Sequence, residues 1–230
     1  MIGEGLFDYQ DVIGQPGREA AEWASGQCES RLQVTGVPVE SSQGKFWRQL
    51  GVEAQTYSSA PIRRAGAEAD LPRQHPRQQR RWQAAGARLE PTEGARERHC
   101  FLDWLLEQKA HGLAAQGREN VLGAAETRWL HAMVAAEPEA AELWSLRRNG
   151  EALAGLLCWS SSAMRYAYTV AYDAQFAELS PGVLALYALL RHTMREGRGF
   201  NFLTGEQEFK LRFATGREPL LRYASHHPTP

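Results

Sequence analysis

The feature that most limits what this chain can fold into is a switch of hydrophobic period after Glu142. Leu143 to Arg148, Ala152 to Ser160 and Met164 to Asp173 each alternate with period two, as half-buried strands do. Asn149-Gly150 joins the first pair, and it is the strongest short hairpin signal, because a type I′ turn needs positive φ at both central residues. An antiparallel meander is therefore expected. In its third strand, unbroken alternation would point Tyr166, Tyr168, Val170 and Tyr172 one way and Arg165, Ala167, Thr169 and Ala171 the other.

Helical spacing brackets the meander. Ala95 to Leu113 repeats Phe101, Leu102, Leu105 and Leu106 at helical intervals, and a second helix over Leu122 to Ala136 carries Trp129, Leu130, Met133 and Val134. Ser180-Pro181-Gly182 opens a further helix, with serine as N-cap and proline at the first helical position, and Gly197 closes it. Phe200 to Leu203 reads as a short strand, Glu206 to Phe213 as a short helix and Pro219 to Ala224 as a last strand. Upstream, Leu6 to Ile13, Arg31 to Val39 and Val52 to Pro61 read as strands, and Arg18 to Cys28 and Lys45 to Leu50 as helices. The change of texture at Gly94 divides the chain into 1–93 and 94–230.

With 43% hydrophobic residues a sizeable core can be buried, and 26 basic against 27 acidic residues leave no global field toward DNA or an anionic membrane. Any anion binding must be local. No apolar run is long enough for a membrane span and no leader-like start is seen, so a cytoplasmic location without membrane insertion is expected. Arg63, Arg64, Arg73, Arg77, Arg80 and Arg81 form a basic patch for phosphates or nucleic acid, or else Arg73, Arg77, Arg80 and Arg81 are a solvated helix face. Cys28, Cys100 and Cys158 stand far apart and read as free buried thiols. His192, His226 and His227 lack metal partners at a useful spacing, so no metal is expected.

A helix that follows a meander presents unpaired N–H groups at its first turn, a natural seat for a diphosphate around Ser180, Gly182 and Val183. Many Ser-Pro-Gly starts hold no ligand, so this spacing alone leaves the matter open.

Tyr168 to Asp173, Leu179-Ser180-Pro181-Gly182, Gly199-Phe200-Asn201-Phe202-Leu203-Thr204-Gly205-Glu206 and Phe209-Lys210-Leu211-Arg212-Phe213 together resemble the GNAT-like acetyltransferases of the CelD/BcsL group, linked with bacterial cellulose and exopolysaccharide biosynthesis. Phe209 stands where that family has tyrosine in a Gly-x-Glu-x-Tyr-Lys box, and Gln207 and Glu208 fill the gap. Leu102 to Lys109 with Gly117, and Asp8-Tyr9, extend a looser likeness upstream. Family members carry on the order of a hundred further residues ahead of that aspartate-tyrosine pair, so a fragment or a shortened protein is expected.

The resemblance implies an α/β fold of the GNAT type: a mixed, mostly antiparallel sheet flanked by helices, with a partial first half followed by a complete second GNAT domain. It implies direct acyl transfer from acetyl-CoA or another acyl-CoA to an amine or hydroxyl of a small-molecule or saccharide acceptor. Ser180, Pro181, Gly182 and Val183 would hold the pyrophosphate, and the strand bearing Tyr168 the pantetheine arm. Lys210 is implied as a phosphate or acceptor ligand, the alternative being an exposed helix pair with Glu206. Glu206 is the candidate base or else a helix cap, and Asp173 orients the acceptor or forms a turn. Tyr168 and Tyr172 shape the acceptor pocket or protonate the leaving thiolate, unless they are core, and Gly205 and Phe209 complete the acceptor side. Two rivals stay open: a FemAB-like transferase using aminoacyl-tRNA, and a non-catalytic remnant binding CoA or a partner. Exposed sheet edges leave a homodimer open as well.

Overall fold

The computed structural model describes residues 33–49, 53–66, 80, 83, 86–120, 122–205 and 207–224. The expected elements at Leu6–Ile13 and Arg18–Cys28, Asp8-Tyr9, Cys28, Glu206, His226-His227 and most of the arginine-rich segment lie outside the described residues.

The elements run β1 (Gln33–Pro38), α1 (Ser42–Gln49), β2 (Ala54–Arg63), β3 (Arg88–Pro91), α2 (Ala95–Ala115), α3 (Ala124–Ala136), β4 (Ala141–Arg148), β5 (Glu151–Ser160) and β6 (Met164–Tyr172). A 3-10 turn (Ala174–Leu179), α4 (Pro181–Arg195), β7 (Gly199–Asn201), α5 (Glu208–Phe213) and β8 (Gly216–Ala224) follow. The chain divides into two compact units, one of Met1–Pro61 with Gly216–Pro230 and one of Ile62–Thr215, where the sequence reading had placed a boundary at 93/94.

In the first unit the strand order is β1, β8, β2, with β1 and β8 antiparallel. Its core is small: Val37, Trp47 and Tyr223 are buried together, and the Tyr223 hydroxyl donates to the Gly44 carbonyl at 3.1 Å.

The second unit holds the meander. Its strands lie in the order β7, β6, β5, β4, β3, with the last residues of β2, Ile62 and Arg63, beside β7. All ladders are antiparallel except β6 to β7, which is parallel, as the intervening helix α4 requires. Asn149 and Gly150 both have positive φ, 52° and 84°, so the β4–β5 turn is the type I′ hairpin that the dipeptide announced. The edge strand β3 was not foreseen: its Arg-Leu-Glu-Pro sequence has only Leu89 to mark a strand, and pairing with β4 creates it.

Helices cover both faces. On one, α2 and α3 bury Phe101, Leu102, Leu105, Leu106, Leu130 and Val134 against Leu143, Leu157 and Ala171. On the other, α4 buries Leu184, Leu186, Leu189 and Leu190 against Leu153, Leu156 and Cys158. Each such leucine contributes roughly 1.5–3 kcal/mol relative to exposure. The approach of α2 to the sheet depends on Gly155, where a Cβ would lie 2.7 Å from Phe101 Cζ.

Two sequence expectations change here. Arg63 belongs to no exposed basic patch: it is 4% exposed, and its guanidinium donates to the Phe213 carbonyl at 3.1 Å. Cys100 is exposed rather than buried; Cys158 is buried and free, and burial pushes its thiol pKa far up, so it is an inert core residue.

Candidate active site

The third strand does not alternate as its sequence suggests. Cys158 faces Ala167 and Leu157 faces Thr169, so Tyr168 is the inserted residue of a β-bulge in β6. The insertion exchanges the faces. Tyr168 packs with the cluster under α2 and α3, whereas Val170 packs with the cluster under α4, and Tyr172 lies against Gly182 on that same side. The single aromatic face expected from period two is therefore split, and Tyr172 is 43% exposed rather than core.

Just before this point the parallel ladder stops. β6 and β7 pair only through Met164–Gly199, Arg165–Phe200 and Tyr166–Asn201, where β7 itself ends. Ala167 to Tyr172 thus run on past the end of their parallel neighbour. Beyond β7 the backbone turns sharply: Leu203 takes φ 57°, and its N–H donates to the buried Asn201 Oδ1 at 2.8 Å. A non-glycine residue in the left-handed region, held by a buried amide, is the kind of strain that clusters at functional sites.

The first turn of α4 faces the same end of β6. Ser180 stands at the N-cap position, but its backbone is left-handed (φ 50°, ψ 49°) and its hydroxyl makes no capping bond. The serine therefore leaves the first-turn amides of Gly182 and Val183 uncapped by its side chain, and they carry the partial positive end of the helix. Pro181 and Gly182 are buried, and Val183 is half-buried. A Cβ on Gly182 would lie 3.1 Å from Tyr172 Cδ1 and 3.6 Å from Val170 Cγ1, so the glycine lets the helix start rest on the strand.

The remaining candidates fall as follows. Asp173 caps the 3-10 turn, accepting from Gln175 N at 2.9 Å and Gln175 Nε2 at 2.7 Å. Gly205 takes φ 100°, and a Cβ there would lie 2.7 Å from Gln207 Oε1. Lys210, half-buried in the first turn of α5, donates from Nζ to the Thr204 carbonyl at 2.6 Å and so ties that helix to the segment leaving β7. α5 starts at Glu208 and carries an ion pair of Glu208 with Arg212 at 2.7 Å; the alternative pair of Lys210 with Glu206 involves a residue outside the described ones. Phe209 packs partly against the α4 core. On α2, burial and then the charge of Arg118 hold the Lys109 ammonium below the usual lysine range.

Sequence reasoning missed the group that anchors the other end of β6. Arg165 is 1% exposed; its guanidinium lies 2.6 Å from Glu142 Oε2 and 3.2 Å from Glu196 Oε2, bonds Thr193 Oγ1, and stacks over Trp144 at 5.4 Å. Arg198 joins both carboxylates, at 3.3 Å from Glu142 and 2.5 Å from Glu196. The hint was an arginine in sequence register with Ala167, Thr169 and Ala171, on the face that alternation otherwise gives to small residues.

A mixed sheet whose central parallel pair parts beside an uncapped helix start, with helices on both faces, defines an acyltransferase domain of the GNAT type. Residues 70–211 match the family described as "Acetyltransferase (GNAT) domain", and the chain belongs to that family. No curated protein matches it in sequence. Among solved structures it is similar to FemX (TM-score 0.66, 11% identity, over 89% of this chain and 74% of that one). It is also similar to L-PGS from Bacillus licheniformis (TM-score 0.64, 14% identity, 90% and 71%) and to a conserved protein of unknown function from Bacteroides thetaiotaomicron (TM-score 0.62, 11% identity, 90% and 73%). At such identities the likeness is one of fold.

Proposed function

We propose that the chain transfers an acyl group from acyl-coenzyme A to an amine or hydroxyl of a small-molecule or saccharide acceptor, with exopolysaccharide or cellulose biosynthesis as its setting. The observation that carries this reading is the uncapped first turn of α4 beside the stretch of β6 that outruns β7. The pyrophosphate sits on the amides of Gly182 and Val183, with Ser180 and Pro181 shaping the turn, and the pantetheine arm lies along β6 past Tyr168.

The acceptor's lone pair attacks the thioester carbonyl, the C–S bond breaks, and the thiolate leaves and takes up a proton. The protein positions the two reactants and steadies the developing oxyanion. In this scheme Glu206 accepts the acceptor's proton, Asp173 orients the acceptor, and Lys210 binds phosphate or acceptor. Tyr172, Gly205 and Phe209 line the acceptor side. Calorimetry with acetyl-CoA tests the reading: saturable binding at equimolar stoichiometry supports it, and its absence with acetyl-, succinyl- and long-chain acyl-CoA alike rejects it.

The fold likeness to FemX favours a second reading, a FemAB-like transferase fed by aminoacyl-tRNA. Binding of charged tRNA that weakens steeply with salt, together with indifference to acyl-CoA, selects that alternative.

A further inference from the structure

Sequence spacing assigned no metal to any histidine, yet the packing of α2 on α3 assembles three donors. His99 and Asp103 lie one turn apart on α2, and His131 reaches across from α3. His131 Nε2 is 2.9 Å from Asp103 Oδ1, and His99 Nε2 is 3.6 Å from Asp103 Oδ2, so each imidazole addresses a different oxygen of one carboxylate. The two rings are 4.2 Å apart between centroids, and one donor atom from each of the three residues lies within 4.8 Å of the others.

We propose that His99, Asp103 and His131 form a binding site for a divalent transition cation of the zinc class, which clips α2 to α3. Zinc takes imidazole nitrogen and carboxylate oxygen at about 2.0–2.2 Å in a tetrahedron, which sets neighbouring donors roughly 3.3 Å apart. The two nitrogen–oxygen separations, each to a different oxygen of the carboxylate, bracket that figure, and all three donors lie within 4.8 Å of one another, so the side chains close on the ion by rotating toward one another. An imidazole edge that donates to the carboxylate when protonated at Nε2 offers a lone pair there once the proton sits on Nδ1. Two nitrogens and one oxygen select zinc, cobalt or nickel over magnesium or calcium, which prefer all-oxygen shells.

Three protein donors leave a fourth position. His99 and Asp103 are exposed while His131 is only 15% exposed, so that position opens outward to water or a small anion. The site lies on the outer side of the helix pair whose inner side packs under Tyr168 and Ala171. A clip there stiffens the helices behind the bulge without touching the proposed acyl-transfer groups.

The test is calorimetric titration of the full chain with zinc chloride, alongside thermal melts with and without the ion. One equivalent is expected to bind and to raise the melting temperature, while magnesium does neither. His99→Ala and Asp103→Asn each alter an exposed side chain, so their folding can be verified by circular dichroism. Each should weaken zinc binding by more than the roughly 10–100-fold that loss of a metal's outer hydrogen-bond partner costs. Cys100→Ser and the double change His226→Ala, His227→Ala should leave it intact. Unchanged affinity in His99→Ala and Asp103→Asn, loss of binding in either control variant, or no zinc binding by the original chain overturns the site.

Discussion

Gly182, at the start of α4, rests against the ring of Tyr172, at the end of β6: an added Cβ would stand 3.1 Å from Tyr172 Cδ1, so that the ring or the helix start would have to shift by a few tenths of an ångström. This contact sets how closely the first-turn amides approach the strand. Gly182→Ala adds a crowded contact, for which overpacking costs about 1–3 kcal/mol, but gains up to ~1 kcal/mol in helix propensity. The two effects largely offset in stability and do not offset in position. A small change in melting temperature is therefore expected and, under the proposed function, acetyl-CoA affinity weakened by roughly tenfold, equivalent to ~1.4 kcal/mol. Unaltered affinity would show that the turn tolerates displacement.

Arg165 joins β6 to β4 and to the end of α4 in a buried ion cluster. Removing Arg165 leaves Arg198 as the remaining guanidinium to offset both carboxylates, so Arg165→Leu should cost about 3 kcal/mol in urea unfolding. Replacing Glu142 by leucine in the same chain should return part of that loss, because the more buried of the two carboxylates is then gone and Glu196 keeps its pair with Arg198. A single mutant as stable as the parent would refute the role given to the cluster.

The same cluster sets an acid limit. Burial works against ionisation of Glu142, but the hydrogen bond from Trp144 Nε1 and the charges of Arg165 and Arg198 outweigh it and hold its carboxyl below the usual carboxylate range. A depressed folded-state pKa contributes stability that is present above the unfolded value, about 4.3 for glutamate, and is lost as pH falls from there through the folded value. Unfolding free energy should accordingly drop through that acid window, and Glu142→Gln should flatten the slope. A Glu142→Gln profile that parallels the parent would assign the acid sensitivity elsewhere.

Gly155 admits the ring of Phe101 where α2 crosses β5. Gly155→Ala places a carbon 2.7 Å from Phe101 Cζ and 3.0 Å from Leu105 Cδ1, inside ordinary contact distance. A loss of about 1–3 kcal/mol in denaturant unfolding is expected, and Phe101→Leu in the same chain should relieve some of it.

Lys210 holds the Thr204 carbonyl from α5. Lys210→Ala removes this hydrogen bond of a charged group, whose net worth is about 1.5–3 kcal/mol, so the fold should survive. Under the proposed function, acyl transfer should fall by at least about 100-fold, the scale of one lost oxyanion or phosphate contact. Parental turnover in a folded Lys210→Ala chain would remove the lysine from the reaction.

What the chain's own order of residues determined was local. The Asn149-Gly150 turn, the β4–β6 meander, the apolar stripe of α2 and the Pro181 start of α4 follow from φ preferences and hydrophobic period, which act over a few neighbours. Tertiary contact decided the rest. Tyr168 and Tyr172 left a common face because one inserted residue, visible only against β5, reverses every side chain beyond it. Arg165 became an anchor because Glu142 and Glu196 meet it from strands and helices distant in sequence. His99, Asp103 and His131 came together only when α2 packed on α3. Alternation and capping are short-range effects that a linear reading captures, whereas a bulge, a buried ion cluster and a three-donor site depend on what lies opposite, and packing alone supplies that.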